Sequence, residues 1–367
     1  MNGEMKEYLN QLEPEILIQT FHSEPPEGFA PLTILGCGGA LPAFMTDFDL
    51  LTTADDRVKK AVHILNKIVP FFNKINLKPR TLFVGTTVSE YILLPKEVQP
   101  HALKGPLVLK MNDQRSSLII VKDVPCDSPL LSGDENELSK SLMSSLEESG
   151  FILMSGQALA YIPITFASTE EYLQKFSKSR RRDFTRKLRS FSEISVETMR
   201  TGDDFFVDAN VELLYQLFLN TYNNSSIHFD RLTLSFFRKV LKDDGSDGIV
   251  FLYRNREGIV AFNLCFIYRS CLVDKYIGFR YPEARMHNLY FLSWFHNLDF
   301  CIKNKLKTFI AGWTDPEIKA YLGAEFTGTN HAVYIKNPLL RFCLKRLSGF
   351  FESDKRVLEG IVAGKHP

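Results

Sequence analysis

The run Gly248–Phe279, GIVFLYRNREGIVAFNLCFIYRSCLVDKYIGF, decides how this chain folds. Its apolar residues come in three stretches, broken at Asn255-Arg256-Glu257-Gly258 and at Arg269-Ser270. Turn residues at those two breaks predict three successive antiparallel strands. What flanks them fixes the order of elements. Upstream, ISVETMR reads as a strand, and VELLYQLFLNTYNN and TLSFFRKVLKD as two helices. Downstream, NLYFLSWFHNLDFCIKNKL reads as a long helix that crosses to the strand KTFIAGWT. A short helix DPEIKAYLGA, a strand HAVYIK and a basic helix PLLRFCLKRLSGFF follow.

The first half uses the same grammar. PLTILGCGGALPAFMTDFDLL reads as strand broken by Gly38-Gly39. A helix is predicted over residues 54–75, where Val58, Val62, Leu65 and Val69 recur at helical spacing. RTLFVGTTVSEYILL, SSLIIVKDVP and GFILMSGQALAYIPITF read as strands. GDENELSKSLMSSLEESG reads as a helix with acids in its first turn and Gly150 past its end. The fold class is therefore α/β, with mixed, mostly antiparallel sheets flanked by helices. The expected division is residues 1–168, a basic connecting helix over 169–192, and residues 193–367.

The bulk numbers narrow the function. The chain has 367 residues, is 45% hydrophobic and carries a formal charge of +1. That length suits two domains with sizeable cores. The near-neutral balance argues against a duplex-DNA binder. Six cysteines, Cys37, Cys126, Cys265, Cys271, Cys301 and Cys343, show no CxxC or zinc-like spacing. They read as reduced thiols, and no metal is expected. The N-terminus lacks the apolar core of a signal peptide. No uncharged apolar run approaches the ~20 residues that span a bilayer. The chain reads as a cytoplasmic protein.

The order strand, two helices, three strands, helix, strand, helix, strand resembles the acetyltransferase fold of the GNAT superfamily, and the first half resembles a degenerate copy of it. From about Tyr172 onward the chain also resembles the acyl-CoA N-acyltransferase-like proteins of peptidogalycan biosynthesis/recognition, relatives of the Fem-type aminoacyltransferases. The segments that carry the likeness are YLQKFSKSRRRDFTRKLR, LFLNTY, REGIVAFNLCF, KYIGF, NLYFLSWFHNLDFCI and AGWTDPEIKAYLGAEF. The resemblance implies two tandem GNAT-like domains. It also implies an acyl donor such as acyl-CoA as co-substrate, and an amine acceptor. Departures stand beside it. RYPEARMHN replaces the (Q/R)xxGx(G/A) pyrophosphate signature. Leu292 or one of its neighbours stands where the family pattern has a Glu, and Glu317-Ile318 where it has Glu-His.

Acyl transfer to an amine needs a neutral nucleophile, an oxyanion donor, and cations or helix N–H groups for an anionic carrier. In strand geometry Asp274, Tyr276 and Gly278 alternate onto one face, and Gly278 allows close approach by a ligand. Arg280, Arg285 and Asn288 flank the start of the crossover helix, where the dipole favours a donor phosphate. Their bland alternative is surface charge. Tyr276 is a candidate acid or positioning group, or an ordinary strand aromatic. Asp315 suits a helix cap and Pro316 the first turn. The resemblance matches Lys319 to a characteristic family lysine. It matches Tyr321 loosely to the tyrosine that protonates the leaving thiolate, and His331 to a family histidine. His331 is a candidate base, with Asp274 and Glu317 in reserve; its alternative is a structural histidine. His287 and His296 are weaker candidates, and His296 reads as core.

Between Lys175 and Arg189 eight of fifteen residues are basic, against Asp183 alone. At four-residue steps Tyr172, Phe176, Phe184, Leu188 and Phe191 form an inward stripe, leaving Arg180, Arg181, Arg186 and Lys187 outward. The outer face is either solvated or meets an anion: a diphosphate, a tRNA, an acidic glycan or anionic lipid; an acyl-carrier protein is expected only as an alternative carrier of the acyl donor. The expected activity is N-acyl transfer from acyl-CoA or another thioester carrier by direct attack. Aminoacyl-tRNA-dependent transfer and a catalytically silent binding module are the alternatives.

Overall fold

The computed structural model describes residues 8–36, 38–50, 78–202, 205, 207–225, 228–338 and 341–342. The helix expected over 54–75, most of the expected terminal helix, Cys37 and Cys343 lie outside the described residues.

The chain folds into two compact units that do not follow the sequence linearly. The first comprises residues 1–11, 25–159 and 313–367; the second comprises 12–24 and 160–312. This differs from the linear blocks expected above. The reason is visible in strand pairing: the last strand joins the N-terminal sheet by pairing with the strand Leu118–Cys126.

In the first unit, β1 (Ala30–Ile34), β2 (Leu41–Asp47) and β3 (Arg80–Val84) form an antiparallel meander. β4 (Leu118–Cys126) runs parallel to β3, and β11 (Glu325–Ile335) antiparallel to β4. The first part of β5 (Ile152–Pro163) completes the order β1-β2-β3-β4-β11-β5. Among the described residues of this unit are the helices α2 (Lys104–Asp113), α3 (Gly133–Glu148) and α10 (Pro316–Tyr321). α3 opens on a capping box, in which the Ser132 hydroxyl accepts from the Glu135 N–H and the Glu135 carboxylate from the Ser132 N–H. α2 escapes the sequence reading because Gly105-Pro106 sits in its first turn. Leu103, Leu107 and Met111, at four-residue steps, bury one face of it all the same.

The second unit is built on Gly248–Phe279. β7 (Gly248–Asn255), β8 (Gly258–Tyr268) and β9 (Cys271–Phe279) pair antiparallel in the expected order. Arg269 and Ser270 both take positive φ, 48° and 65°, as a two-residue hairpin requires. β6 (Ser195–Arg200) pairs with β7; β10 (Thr308–Gly312) lies between β9, to which it is parallel, and the end of β5. One face of this sheet carries α6 (Asp208–Asn224) and α7 (Leu234–Leu241), seen where Tyr276 meets Phe218, Phe236 and Phe237. The other carries α9 (Leu289–Lys303), whose His296 packs on Phe251. A short helix α1 (Glu15–Ser23) joins this unit from the N-terminal end of the chain.

The basic segment is not one helix. α4 (Thr169–Gln174) ends near Lys175, and Ser177 caps a new helix, α5 (Lys178–Leu188), by accepting from the Arg180 N–H. A 3₁₀ turn, Arg189–Ser192, follows. The inward stripe is real: Tyr172, Phe176 and Phe184 are buried and stack edge to face in sequence. Among the described residues no helix is long and apolar enough to cross a membrane.

Candidate active site

The second unit opens where two parallel strands part. β9 and β10 are registered from Cys271/Thr308 to Val273/Ile310, and the ladder stops there. Immediately beyond, β9 bulges. Asp274 lies opposite Cys265 and Tyr276 opposite Leu264, so Lys275 is the extra residue.

The bulge corrects one expectation: Asp274 does not share a face with Tyr276 and Gly278. An inserted residue reverses the alternation, so Asp274 meets α9 while Tyr276 meets α6 and α7. Asn263 Nδ2 on β8 donates to Asp274 Oδ1 at 2.6 Å, and Asn297 Nδ2 on α9 to Oδ2 at 3.3 Å. Asn297 Nδ2 also donates to Asn263 Oδ1 at 2.8 Å, and the Cys265 thiol points at the same oxygen at 3.4 Å. Burial pushes the Cys265 thiol and the Tyr253 hydroxyl well up, and the negative charge of Asp274 adds to both. Lys275, almost fully buried, has its ammonium 3.7 Å from the carboxylate of Glu13, which is fully buried just before α1.

Gly278 does serve a close approach, but of protein. A Cβ there would lie 2.2 Å from Phe262 Cε1 and 2.7 Å from the backbone of α6 at Leu217 and Phe218. Arg280 is held between two carboxylates, Glu257 at 3.1 Å and Glu283 at 2.7 Å. Arg285, on the short helix α8 (Glu283–Met286), is exposed, its guanidinium 5.9 Å from the Tyr281 ring. Asn288 precedes α9 with φ 52° and donates to the Ser190 hydroxyl at 3.4 Å. His287 pairs with Glu193 at 3.1 Å. His296 reads as core: burial pushes it down to about 4.

Lys319, Tyr321 and His331 belong to the first unit. Lys319 is buried, and its ammonium donates to the Trp313 carbonyl. It thereby closes the turn in which Thr314 and Asp315 take positive φ, 66° and 47°. In that conformation the Asp315 side chain makes no cap hydrogen bond, contrary to expectation. Tyr321 is half-buried at the end of α10, where Glu317 lies in the first turn.

His331 sits within β11 opposite a second bulge, since Lys122 and Asp123 occupy the space between the pairs Val121/Ala332 and Val124/Asn330. The Asp123 N–H donates to His331 Nδ1 at 3.1 Å. Nδ1 thus carries no proton, and the neutral ring bears its proton on Nε2. In this state His331 is a donor, not a base. Burial lowers its pKa, with the Asp123 carboxylate opposing. Lys122 donates to the Thr86 carbonyl at 2.8 Å and to the Asp123 carboxylate.

In the basic helix, Asp183 holds Arg186 and Lys187 at 2.7 Å each, and Arg181 donates to the Phe176 carbonyl at 2.7 Å. Lys178, Arg182, Arg186 and Arg189 are exposed. Among the described residues no group of three His, Cys, Asp or Glu is placed to hold a metal.

Sequence reasoning missed Asn263, Asn297, Glu13, Lys122 and Asp123. Asn263 and Asn297 carried one signal, a carboxamide inside an apolar strand and an apolar helix.

The comparison with FemX agrees with this architecture. The crystal structure of FemX is similar at 11% identity over 93% of this chain and 96% of that one, with a TM-score of 0.51. L-PGS from Bacillus licheniformis gives 11% identity, 95% and 99% coverage, and 0.49. The C-terminal domain of a putative lysylphosphatidylglycerol synthetase from Agrobacterium fabrum gives 11%, 92% of both chains, and 0.49. No curated protein matches. Residues 120–358, well over half of the chain, match the FemAB-like family model, described as peptidogalycan biosynthesis/recognition. The chain belongs to that family.

Proposed function

We propose that this protein moves an acyl group from an ester or thioester donor to the nitrogen of a primary amine, with the parting of β9 and β10 as the reaction site. One observation carries this reading. Asp274 stands at the first position past the end of the parallel ladder and accepts hydrogen bonds from Asn263 and Asn297. A carboxylate so placed can take a proton from an attacking amine. The bulge at Lys275 breaks the β8–β9 ladder, where a released backbone N–H would serve the developing oxyanion. Arg285 and Asn288 stand at the start of α9 and would meet the anionic part of the donor.

Acyl-CoA is the first donor to test. A second reading, an aminoacyl-tRNA donor with an amine of a peptidoglycan precursor as acceptor, draws on family membership and on Arg280. That arginine is engaged by two carboxylates and would have to leave them to grip a diphosphate. Both donors are cytoplasmic.

The test is a thermal-shift titration of the full chain with acetyl-CoA, long-chain acyl-CoAs, free CoA and an alanyl-tRNA. A concentration-dependent rise in Tm with the acyl-CoAs supports the thioester donor. A rise with the tRNA alone supports the second reading. No shift with any of them, and no turnover, overturns transfer and leaves a binding module.

A further inference from the structure

We propose that the exposed row Lys178, Arg182, Arg186 and Arg189 is a docking surface for the phosphates of an anionic phospholipid bilayer, met side-on without crossing it. The proposal is independent of the transfer reading above.

The row follows from helix geometry. On an α-helix these four positions fall within about 80° of arc and spread over about 16 Å. Phe184 falls opposite that arc. It is fully buried, its ring 5.4 Å from that of Phe295 on α9, and Tyr172 and Phe176 continue the buried side. One side of the segment is thus fixed against α9. The other faces away from it, and all four cations there are exposed.

Charge is segregated here, not mixed. The chain has 44 basic and 43 acidic residues, yet from Lys175 to Ser192 Asp183 is the only acid. Asp183 is divided between Arg186 and Lys187, at 2.7 Å each. Among the described residues no carboxylate pairs with Lys178, Arg182 or Arg189. Like charges at four-residue steps repel and weaken a helix. An anion from outside the chain would relieve that repulsion.

An apolar side chain stands beside the row. Met286 is 68% exposed at the end of α8. The residues after it tie that end to the turn that follows α5. His287 pairs with Glu193 at 3.1 Å, and Asn288 donates to the Ser190 hydroxyl at 3.4 Å. Cations with an exposed apolar neighbour suit a headgroup layer, where phosphates meet the cations and the acyl boundary meets the apolar group.

The same features weigh against a nucleic acid. Surfaces that bind single strands combine cations with aromatics on which bases stack. The aromatics interleaved with this row, Phe176 and Phe184, are buried. A bilayer asks for neither a groove nor a stacking platform. It presents a field of phosphates that a row along one helix face meets together.

The experiment is vesicle sedimentation of the full chain, with phosphatidylcholine alone or mixed equally with phosphatidylglycerol. The wild type should sediment with the mixed vesicles and not with phosphatidylcholine alone. It should be released at about 1 M salt, where screening acts within about 3 Å. Lys178→Gln and Arg182→Gln should each weaken partitioning about fivefold, and together about 25-fold, with Tm unchanged. Arg256→Gln, in the exposed turn between β7 and β8, removes the same charge elsewhere and should leave partitioning as it was. Met286→Ser should weaken it about threefold without changing its salt dependence. No sedimentation with the mixed vesicles in low salt overturns the proposal. Equal losses in Arg256→Gln and the row variants overturn it too, since net charge alone would then explain binding. Release by deacylated tRNA at equal phosphate concentration would assign the row to nucleic acid and end the membrane reading. Vesicle binding as expected, with no turnover of acetyl-CoA or alanyl-tRNA, defeats the transfer reading and leaves the docking surface standing. Turnover without vesicle binding does the reverse.

Discussion

Among the described residues each unit of this protein has one fork between parallel strands, and the two forks set the same residue types among different partners. In the first unit β3 and β4 part after Val84 and Val121, and Lys122-Asp123 follow. In the second β9 and β10 part after Val273 and Ile310, and Asp274-Lys275 follow. Each dipeptide lies at a bulge. At the first fork the charges turn on each other: the Lys122 ammonium binds the neighbouring Asp123 carboxylate, and the Asp123 N–H fixes His331. At the second, Asp274 is held by Asn263 and Asn297, while the Lys275 ammonium faces Glu13 from the far N-terminal segment. The two forks therefore differ in the partners of their charges, not in residue type.

The largest test of that contrast is to delete each lysine head. Lys275→Met leaves the carboxylate of Glu13 in a fully buried position and should cost about 3–5 kcal/mol. Lys122→Met removes a pair whose members retain some exposure and should cost about 2 kcal/mol. Urea unfolding reads both. Equal costs would mean that the two forks are stabilised alike, and the comparison would fail.

The glycines give the next effect. Gly278→Ala drives a Cβ into the backbone of α6, which cannot step aside, and should cost about 3 kcal/mol. At Gly156 the obstacles are side chains, Thr329 Oγ1 at 2.3 Å and the His331 ring at 2.9 Å. Those can rotate, so Gly156→Ala should cost about 1–2 kcal/mol, partly by breaking the bond from Thr329 to the Gln157 carbonyl. A larger loss at Gly156 would show the first fork to be the more rigid.

Much of the second unit could be read from its residues, for a physical reason. The strands of Gly248–Phe279 are buried and apolar, their hairpins are marked by turn residues, and local pattern and tertiary fate agree. The site was less legible. Asp274 was singled out as a candidate, but its face was misjudged, because nothing in VDKYIG announces that Lys275 is extra. Asn263 and Asn297 are 34 residues apart and meet only through the crossover of α9. Glu13 is farther still from Lys275, and no periodicity links them. His331 looked like a base because its residue type is one; the N–H that occupies its lone pair comes from a bulge some 208 residues away.

The smallest effect is a slope. His296 and His331 both have folded pKa values below the ordinary 6.5, chiefly through burial. A histidine held neutral by the fold contributes stability that is complete above pH 6.5. That stability is lost as pH falls from 6.5 towards the folded value, because the unfolded chain binds the proton first. Each such group adds at most about 1.4 kcal/mol per pH unit in its window. For His296 the window runs from 6.5 to about 4, with the Asp299 carboxylate opposing the shift and Lys303 adding to it. For His331 the window opens at 6.5 and extends downward, with the Asp123 carboxylate opposing. His296→Phe should flatten the stability–pH curve between 6.5 and about 4, and His331→Gln should flatten it below 6.5, each read as Tm at half-unit steps. His22, also lowered by burial, should leave a residual slope in both variants. A curve that His331→Gln leaves unchanged would mean that the histidine at the first fork binds its proton alike in the folded and unfolded chain.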